Sequence, residues 1–392
     1  MTHQSAKRNR RQFLSQTSIT LAAAGVAGLR STAAAPQAAS ATTRRRAVMR
    51  RTLGRTGLEL PIVSMGVMNA NNPELLRQAY DAGVRLFDTA QGYQQGRNER
   101  MIGDVVSRLR VRDKVIIQTK VPFPRGSGDV KAEFLAGVAG CLERLQTDYV
   151  DILLLHAPSV EQMTDAGIVS AFKELKQQKK ARFVGVSHHS NQAAVLRTAA
   201  ESGLYDVALV GFNVTNANDG EFLAALKIAA SRGVGLVAMK TQTGGRGRNL
   251  GVLNHPALLK WALRHTEFAT AIPGFTNADQ LNESFSVAYG LDYSPEEKSW
   301  LADKNVQLAL DFCKQCGSCL PSCPKGVDIP TLMRTHMYAA NYANFDQARA
   351  TFDEIPARAS LGNCTSCAEC SARCANRVVI AERISDLKAM YA

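Results

Sequence analysis

The sequence predicts an α/β protein in which a (β/α)8 TIM barrel is followed by a small α-helical domain. Between residues 60 and 275, eight short apolar runs recur, and each is followed by a longer stretch with helical periodicity. Eight such units within about 250 residues match the size and rhythm of a barrel. Beyond residue 300 the strand pattern stops and cysteines accumulate.

The eight predicted strands follow one another at regular intervals. They are LPIVSMG (60–66), GVRLFDTA (83–90), KVIIQTK (114–120), YVDILLLHA (149–157), RFVGVSHH (182–189), VALVGFN (207–213), GVGLVAMK (233–240) and TAIPGF (270–275). A doubly wound sheet is the alternative. Such a sheet would place a G-x-G-x-x-G turn after its first strand, where this chain has SMGVMNAN. We therefore predict a barrel over residues 52–300.

The first 41 residues have the composition of an export signal. They contain no acidic residue, and a basic stretch precedes an Ala- and Gly-rich apolar run from Ile19 to Leu29. The pair Arg10-Arg11, followed by Gln-Phe-Leu, is similar to a twin-arginine signal. The apolar run is shorter than the roughly 20 residues of a spanning helix, which favours a removable signal. We predict a twin-arginine signal peptide over 1–41 and export of the folded protein to the periplasm by the twin-arginine machinery.

Two alternatives remain for this segment: a disordered basic arm, or an uncleaved signal that keeps the protein associated with the cell envelope. The chain has a formal net charge of +13, and five of its 47 basic residues lie in the signal. Much of the remaining excess lies at residues 44–46 and at Arg50-Arg51. We interpret 42–51 as a solvated basic linker. No nucleic-acid-binding motif is present.

Eight of the nine cysteines form two runs with identical C-x2-C-x2-C-x3-C spacing. The runs consist of Cys313, Cys316, Cys319 and Cys323, and of Cys364, Cys367, Cys370 and Cys374. Two-residue gaps bring three thiolates onto one tight turn, which suits three corners of a cubane, while the fourth cysteine can reach another cluster. Zinc sites normally pair two C-x2-C units, and cysteines so close on a turn are poorly placed for disulfides. The spacing favours two [4Fe-4S] clusters over zinc and disulfides.

The cluster ligands are assigned by analogy with two-cluster ferredoxins, in which the fourth cysteine of each run binds the other cluster. One cluster would use Cys313, Cys316, Cys319 and Cys374, and the other would use Cys364, Cys367, Cys370 and Cys323. The segment between the runs predicts two helices, so residues 301–392 are expected to form an α-helical ferredoxin-like domain. The ninth cysteine, Cys141, lies in an apolar pattern and is predicted to be a buried core residue.

Four polar residues lie at or just beyond the ends of neighbouring predicted strands, where barrel active sites form. Asp88 and Tyr93 follow the second strand, Lys120 ends the third and His156 ends the fourth. A nearby Lys120 would lower the pKa of Tyr93 from about 10, and Asp88 would keep Lys120 charged. Tyr93 could then give a proton to a developing alkoxide. The alternative is four ordinary polar groups at strand ends.

Several segments of the barrel region resemble the aldo-keto reductase family. They are TLGRTGLELPIVSMG, LFDTAQGYQQGRNERMIGDVV, YVDILLLHAP, ALLKWALRH and AIPGFTNADQL. The cysteine-rich tail resembles the branch of this family with a C-terminal iron-sulfur module. The resemblance implies hydride transfer between NADP(H) and a carbonyl or alcohol. It also implies that Asp88, Tyr93, Lys120 and His156 are the catalytic tetrad, with Tyr93 as proton donor or acceptor and His156 orienting the oxygen.

The resemblance further implies a cofactor pocket, formed by Ser187, Lys240, Gly274, Thr276, Asn277 and Gln280. Ser187 matches the carboxamide-binding serine, and the last four residues match the family's phosphate side. Three positions depart from the family pattern: His188 replaces asparagine, Leu209 replaces a glutamine that bonds the nicotinamide, and Lys240 replaces a stacking aromatic ring. Either the nicotinamide binds differently, or another cofactor or substrate occupies that half of the pocket.

The combined features predict an exported oxidoreductase whose nucleotide stays bound. An unidentified redox partner would exchange electrons with this nucleotide through the clusters. The alternatives are an electron-transfer protein whose barrel has lost nicotinamide chemistry, and clusters with a purely structural role. The segment TGGRGRNLG (243–251) predicts a flexible basic loop at the barrel mouth rather than a phosphate cradle. His188-His189 indicates polar rim residues rather than a metal site.

Overall fold

Eight parallel strands form the central sheet of the computed structural model, which describes residues 47–126, 128–242, 253–303, 313–367 and 369–391. The strands are β3 Met65–Gly66, β4 Leu86–Asp88, β5 Ile116–Pro122, β6 Val150–His156, β7 Ala181–His188, β8 Val207–Gly211, β9 Gly235–Met239 and β10 Phe268–Ala271, and each pairs with the next. The sheet closes through parallel bridges from Val63 to Ala271 and from Gly66 to Gly274. The predicted (β/α)8 TIM barrel is confirmed. The predicted signal, residues 42–46 and the 243–251 loop lie outside the described residues.

Helices alternate with the barrel strands. They are α1 Pro73–Ala82, α2 Arg97–Leu109, α3 Val130–Leu145, α4 Val160–Met163, α5 Ala166–Gln177, α6 Gln192–Ser202, α7 Gly220–Ser231, α8 His255–Leu263, α9 Ala278–Ser286 and α10 Pro295–Ala302. Local sequence sets several of their starts: Asn72 caps α1 and Asp129 caps α3 by accepting backbone N–H bonds. Cys141 is fully buried on α3, as predicted. No helix among the described residues has the length and apolar character needed to cross a membrane.

The last strand begins earlier than the sequence pattern indicated. TAIPGF predicts a strand over 270–275, whereas β10 spans Phe268–Ala271. Pro273 has no backbone N–H to donate to a sheet, so the regular ladder ends before it. The chain nevertheless continues along the barrel seam, because the Pro273 carbonyl accepts a hydrogen bond from Gly66 N over 3.0 Å.

A two-stranded antiparallel hairpin, β1 Arg50–Thr52 and β2 Glu59–Pro61, packs against the barrel. Leu53 and Leu60 are fully buried in the apolar layer inside the barrel. The Arg51 guanidinium donates to the carbonyls of Phe268 (2.7 Å) and Leu263 (2.8 Å). Arg50 is exposed, as the interpretation of a solvated segment requires. The linker assignment is wrong for both arginines, because they form a strand and Arg51 is bonded to the barrel.

The chain turn between these two strands requires glycine. Gly54 has a φ of 48°, and a Cβ at this position would lie 2.4 Å from the backbone nitrogen of Gly235, at the start of β9. Only glycine combines this left-handed conformation with such a close backbone approach. The turn fixes the hairpin against the barrel strand.

The C-terminal region is helical. It contains α11 Ile329–His336, a π-helical turn at Met337–Asn341, α12 Phe345–Phe352 and α13 Ile380–Tyr391. The two helices predicted between the cysteine runs are thus confirmed. Leu332, Met333 and Leu387 form part of a core that also includes Cys319 and packs against five other cysteines of the two runs. The α-helical domain therefore folds around the thiols.

The helical domain is attached to the barrel near the end where the strands terminate. Arg97 forms an ion pair with Asp346 at 2.7 Å, and the Asn344 amide donates to Asn69 Oδ1 at 2.7 Å. Met68 packs against the apolar surface of the π-helical turn. These contacts place the segment from α11 to α12 over the mouth of the barrel.

Candidate active site

The structure brings the four predicted tetrad residues to the same rim of the barrel. Asp88 ends β4, His156 ends β6, and Lys120 lies in β5 between them. Tyr93 begins the short 3-10 turn that follows β4. Because parallel strands end on the same side of a barrel, residues far apart in sequence meet at its carboxyl end.

Asp88 and Lys120 form a buried ion pair at the base of this site. Lys120 Nζ donates to Asp88 Oδ2 over 2.7 Å and to the Thr89 carbonyl over 2.6 Å, and only 1% of Lys120 is exposed. The second carboxylate oxygen of Asp88 accepts from Gln118 Nε2 at 2.6 Å. Burial lowers the pKa of Lys120, whereas Asp88 opposes that shift. Sequence reasoning missed Gln118, which positions the carboxylate.

Tyr93 completes the group from a constrained loop. Its phenol oxygen lies 3.3 Å from Lys120 Nζ, within hydrogen-bond reach. The next two residues, Gln94 and Gln95, both have left-handed backbones with φ of 50° and 57°. The Gln94 side chain compensates by donating to the carbonyls of two residues in the loop after β3. Such strained backbone often occurs where a catalytic side chain must be held in place.

The ionisation of Tyr93 differs from the sequence-based expectation. Burial, with a further contribution from the Asp88 carboxylate, raises the pKa of Tyr93 well above its ordinary value. The prediction that Lys120 lowers this pKa is wrong for the site as it stands, because Asp88 pairs with Lys120 and burial disfavours the phenolate. Tyr93 is therefore a protonated phenol at neutral pH.

His156 lies beside the phenol and is held neutral. The Tyr93 and His156 rings meet edge to face, with centroids 6.3 Å apart. Burial and the positive charges of Lys120 and Arg334 lower the pKa of His156 well below its ordinary value. A neutral imidazole N–H and a phenol O–H can both donate a hydrogen bond to one carbonyl oxygen. Because the imidazole carries no charge, it does not repel the lysine ammonium.

The C-terminal domain contributes three side chains to the mouth of the barrel, and sequence reasoning identified none of them. Tyr338 and Tyr342 place their rings over the Lys240 ammonium, at 4.7 and 5.1 Å from the ring centroids. Lys240 Nζ also lies 3.5 Å from the Tyr338 hydroxyl. Aromatic faces attract a cation in this geometry. Nothing in the helical periodicity of this segment distinguishes these tyrosines from core residues.

Arg334 is the third of these side chains. It is on α11, only 11% of its side chain is exposed, and it forms an ion pair with Glu354. It lines the same cavity as Lys240, and its positive charge lowers the pKa values of His156 and Lys240. Burial, followed by Arg334, lowers the pKa of Lys240 to about 7. Lys240 and Arg334 are thus like charges on the same side of the site.

A cavity of about 560 Å³, including its open mouth, lies between the barrel and the helical domain. The barrel side includes His189, Asn213 and Lys240, at the ends of β7 to β9. The helical domain contributes Arg334 and Cys313, among other residues. A cysteine of the first run therefore lies on the wall of the same cavity as Lys240.

The cysteines of the two runs are interleaved in space. Cys374, the last cysteine of the second run, lies with the first three cysteines of the first run. The backbone N–H of Asn376 donates to Cys374 Sγ at 3.3 Å, and its side-chain amide donates to Cys316 Sγ at 3.6 Å. Burial raises the pKa of Cys313 to about 11, and the neighbouring Cys374 and Cys319 thiols contribute.

The second group of thiols likewise includes one cysteine from the other run. Cys323, the last cysteine of the first run, lines a separate cavity of about 490 Å³ with the first three cysteines of the second run, Cys364, Cys367 and Cys370. Lys388 Nζ donates to the Cys364 carbonyl at 2.9 Å at the edge of this cavity. Two groups of four thiols result, and each takes its fourth member from the other run.

Family comparisons identify both parts of the chain. Residues 65–249 match the model of the aldo/keto reductase family, and residues 312–379 match a 4Fe-4S dicluster domain. The chain contains an aldo/keto reductase domain. A 4Fe-4S dicluster domain follows it.

Individual relatives support the same family. The chain is 31% identical over 204 residues to L-galactose dehydrogenase from Arabidopsis thaliana, a match covering 48% of this chain and 63% of that protein. The holo form of aldo-keto reductase AKR11C1 from Bacillus halodurans superposes with a TM-score of 0.55 and 23% identity, covering 64% of this chain and 95% of that one. An aldo-keto reductase from Klebsiella pneumoniae in complex with NADPH gives a TM-score of 0.52 and 23% identity, covering 64% and 94%. The chain spans about half the length of the curated relatives it matches.

On the carboxamide side of the expected nicotinamide pocket, Ser187 fits a bound amide, whereas Leu209 does not. Ser187 Oγ is fully buried and has no hydrogen-bond partner among the described residues, so a ligand amide would satisfy it. Leu209 packs in the apolar interior of the barrel and offers no hydrogen bond. His188 accepts a hydrogen bond from Ser190 N at 2.9 Å, as expected for a rim residue.

The phosphate side of the aldo/keto reductase domain lies beyond β10. Asn277 caps α9 by accepting from Gln280 N at 3.0 Å, and Gln280 Oε1 in turn accepts from Thr276 N at 2.9 Å. Gly274 lies where the barrel closes against Gly66. At the start of a nine-residue helix, Thr276 is exposed and Gln280 is half-buried. The site residues here are thus positioned for contact with a ligand, and their binding role stays a prediction.

The two groups of thiols fit cubane clusters. Each group combines three cysteines of one tight turn with one distant cysteine, as the cubane ligand pattern requires. The N–H groups of Asn376 that already point at Cys374 and Cys316 are the type of donor that tunes an iron-sulfur cluster. The fold of the dicluster domain therefore places both groups of thiols where they could bind the two clusters.

Proposed function

We propose that this protein is an exported oxidoreductase that interconverts a carbonyl and an alcohol with NADP(H), while two [4Fe-4S] clusters relay electrons to or from a redox partner. The observation that supports this best is the convergence of Asp88, Lys120 and Tyr93 beside His156 at the carboxyl end of the barrel. A proton donor, a cation that stabilises its conjugate base and an orienting imidazole are the groups that carbonyl reduction requires.

Each of the four site residues has a distinct role in the proposed carbonyl reduction. Tyr93 and His156 hold the carbonyl oxygen by hydrogen bonds. Bound NADPH supplies the hydride that goes to the carbonyl carbon. Tyr93 gives its phenolic proton to the oxygen as the alcohol forms, and the resulting phenolate is stabilised by the Lys120 ammonium at 3.3 Å. Asp88 keeps that ammonium charged and fixed. Solvent then returns one proton to Tyr93.

The raised pKa of Tyr93 keeps the phenol protonated at neutral pH. The proton that carbonyl reduction requires is therefore present on Tyr93, whereas alcohol oxidation requires the phenolate to accept a proton.

The clusters would be held by the two interleaved groups of cysteines. The first group is Cys313, Cys316, Cys319 and Cys374, and the second is Cys364, Cys367, Cys370 and Cys323. When bound, a [4Fe-4S] cluster supplies or accepts one electron at a time. Because Cys313 also lines the interdomain cavity, the first cluster is the one next to the barrel site.

A second candidate function is electron transfer without nicotinamide chemistry. It is favoured by one observation: Tyr338 and Tyr342 cover Lys240, the position where the family resemblance places the ring that stacks on the nicotinamide. In this alternative the dicluster domain occupies the nicotinamide half of the site, and the clusters are the only redox groups.

One experiment separates the two candidates. The protein is purified without oxygen, and its iron content, its NADPH affinity and its reduction of aromatic aldehydes are measured for the wild type and for Tyr93→Phe. The enzyme hypothesis predicts about eight irons per chain, NADPH binding, and a rate that falls about 10²- to 10⁴-fold in Tyr93→Phe. Tyr80→Phe, on α1 away from the tetrad, is the control and should retain activity. Eight irons without NADPH binding or turnover would favour the electron-transfer function.

Export is proposed from the sequence of the signal alone. Replacing Arg10 and Arg11 by lysine should leave the protein in the cytoplasm, because the receptor recognises the arginine pair. Fractionation of cells that express the wild type or this variant measures the effect. Equal periplasmic amounts of both would contradict twin-arginine export.

A further inference from the structure

The described residues that line the interdomain cavity include four basic side chains. Its described lining includes Lys240, Lys314, Arg334 and Arg383, and no aspartate or glutamate. Positive groups lining one partly enclosed space repel one another, because the low dielectric strengthens their interaction. Such an arrangement is stabilised when an anion enters.

The cavity's amide groups are largely occupied by contacts with the protein itself. Gln192 donates to the Gly211 carbonyl at 2.7 Å, and Asn213 donates to the Lys240 carbonyl at 3.1 Å. The Gln315 amide donates to the Pro330 carbonyl at 2.7 Å. These groups shape the cavity wall, whereas the cations remain the groups suited to recognise a charged ligand.

Lys240 is held by aromatic rings and a hydroxyl group rather than by an ion pair. Among the described residues no carboxylate forms an ion pair with it, and its hydrogen-bond contact is the neutral Tyr338 hydroxyl at 3.5 Å. Its backbone is left-handed, with a φ of 57°, so the chain bears conformational strain at the position that presents this side chain. A partly buried lysine in this setting is costly unless a ligand offsets it.

Arg334 faces the same region from the helical domain. Its partner Glu354 is on the outer side, where the glutamate side chain is 36% exposed. The guanidinium lies close enough to Lys240, His156 and His189 for its charge to lower the pKa of each. Arg334 and Lys240 therefore form a two-cation arrangement on the cavity side of the tetrad.

We propose that the interdomain cavity binds an anionic group of the substrate, a carboxylate or a phosphate, with Lys240 and Arg334 as the recognition cations. The carbonyl or alcohol end of the same molecule extends to Tyr93 and His156. The placement of that reactive end rests on the proposed function, whereas binding of the anionic end does not. The substrate class is thus an anionic carbonyl compound or alcohol, and selectivity depends on both domains.

The test compares benzaldehydes that carry either an anionic or a neutral group at the para position. 4-Carboxybenzaldehyde carries the anion, and its neutral counterpart is methyl 4-formylbenzoate. 4-Formylphenyl phosphate and 4-methoxybenzaldehyde form the corresponding phosphate pair. For each pair, Kd is measured by calorimetry on the anaerobic holoprotein, and kcat/KM is measured with NADPH. The wild type should prefer an anion over its neutral counterpart by about tenfold or more, as expected for a charge-assisted hydrogen bond.

Lys240→Met removes the ammonium while it keeps an unbranched side chain of similar length. The anion preference should fall about tenfold, with no requirement on the absolute rate of the variant. Lys173→Met, at an exposed position on α5, is the matched control and should leave the preference unchanged. Arg334→Met should also reduce the preference, and iron content shows whether the variant domain has folded with its clusters.

The outcomes separate this proposal from the proposed function. Selective anion binding that depends on Lys240, without turnover, would support the cavity and contradict the reductase function. Turnover of both members of each pair with equal kcat/KM and equal Kd would support the reductase and overturn the anion site, because the cations would then only offset cluster charge. Competition between NADP and 4-carboxybenzaldehyde, with equal loss of affinity for both in Lys240→Met, would assign the cations to the nucleotide and overturn the substrate proposal.

Discussion

The Tyr338 hydroxyl lies 3.5 Å from the Lys240 ammonium, and the two residues are 98 positions apart in the chain. Tyr338 belongs to the dicluster domain, whereas Lys240 follows barrel strand β9. The second domain therefore forms part of the active-site wall. It contributes Arg334 and Cys313 to the lining of the interdomain cavity, and its Tyr338 contacts Lys240.

Lys240 predicts a pH dependence of anion recognition. Its pKa of about 7 means that the ammonium is charged below pH 7 and becomes neutral as the pH rises above it. Affinity for 4-carboxybenzaldehyde should therefore fall between about pH 6 and pH 8, while affinity for methyl 4-formylbenzoate should not follow this titration. Calorimetric Kd values across this range measure both.

The histidines and tyrosines that face Lys240 should not produce this titration. The facing groups are Asp88, Lys120, His156, His188, His189, Arg334, Tyr338 and Tyr342. The pKa of His188 is lowered to about 4, and that of His189 is lowered well below its ordinary value. Burial raises the pKa values of both tyrosines. Lys240→Arg, which stays charged, should abolish the dependence; an unchanged profile in this variant would assign the titration to another group.

Loss of the buried carboxylate should destabilise the barrel. Asp88→Asn leaves the Lys120 ammonium buried without its ion-pair partner, which costs about 3–5 kcal/mol. Asp81→Asn is the matched control, because Asp81 pairs with Arg77 on the surface and such pairs contribute about 0–1 kcal/mol. The thermal midpoint of the anaerobic holoprotein measures both. Equal midpoints for the two variants would contradict the structural importance of the buried pair.

Ser187 should contribute to nucleotide affinity. Ser187→Ala removes the buried hydroxyl that has no partner among the described residues, so the free protein should lose no stability. NADPH affinity should fall about tenfold, the value of roughly one hydrogen bond to the carboxamide. Ser64→Ala is the control, because Ser64 is bonded to Thr270 inside the barrel at 2.8 Å. Unchanged Kd for NADPH in Ser187→Ala would remove Ser187 from the nucleotide site.

The interleaved cysteines predict a specific pattern of iron loss. Cys316→Ala and Cys374→Ala should each remove one cluster, about four of about eight irons. The double variant should lose no more than either single variant, because both thiols lie in the same group. Cys316→Ala combined with Cys370→Ala should lose both clusters. Iron and sulfide analysis distinguishes these results, and loss of both clusters in the Cys316 and Cys374 double variant would contradict the interleaving.

Much of the fold could be predicted because it depends on local periodicity. Alternation of apolar runs and helical stretches is sufficient to place eight strands, and the barrel closes in that order. The errors occur where contacts between distant segments decide the local structure. Arg51 lies in a hairpin because Leu263 and Phe268 accept its hydrogen bonds, and such contacts leave no signal in the basic sequence around it.

For the candidate site, the sequence predicted which residues lie together but not how they ionise. Asp88, Lys120 and His156 meet because polar residues at the ends of parallel strands share one rim, so the sequence pattern was sufficient to group them. The ionisation of Tyr93 was not predictable. Its pKa depends on burial and on the distribution of charge around Lys120, and both follow from the packed structure.

The sequence by itself determined the barrel, the tetrad and the spacing of two four-cysteine runs, because periodicity, strand-end polarity and cysteine spacing are local properties of the chain. The tertiary structure alone decided that the dicluster domain covers the barrel mouth. Lys240 meets Arg334 and Cys313 there, although both lie more than 70 residues further along the chain. Charge balance and burial depend on such distant neighbours, which a linear sequence does not specify.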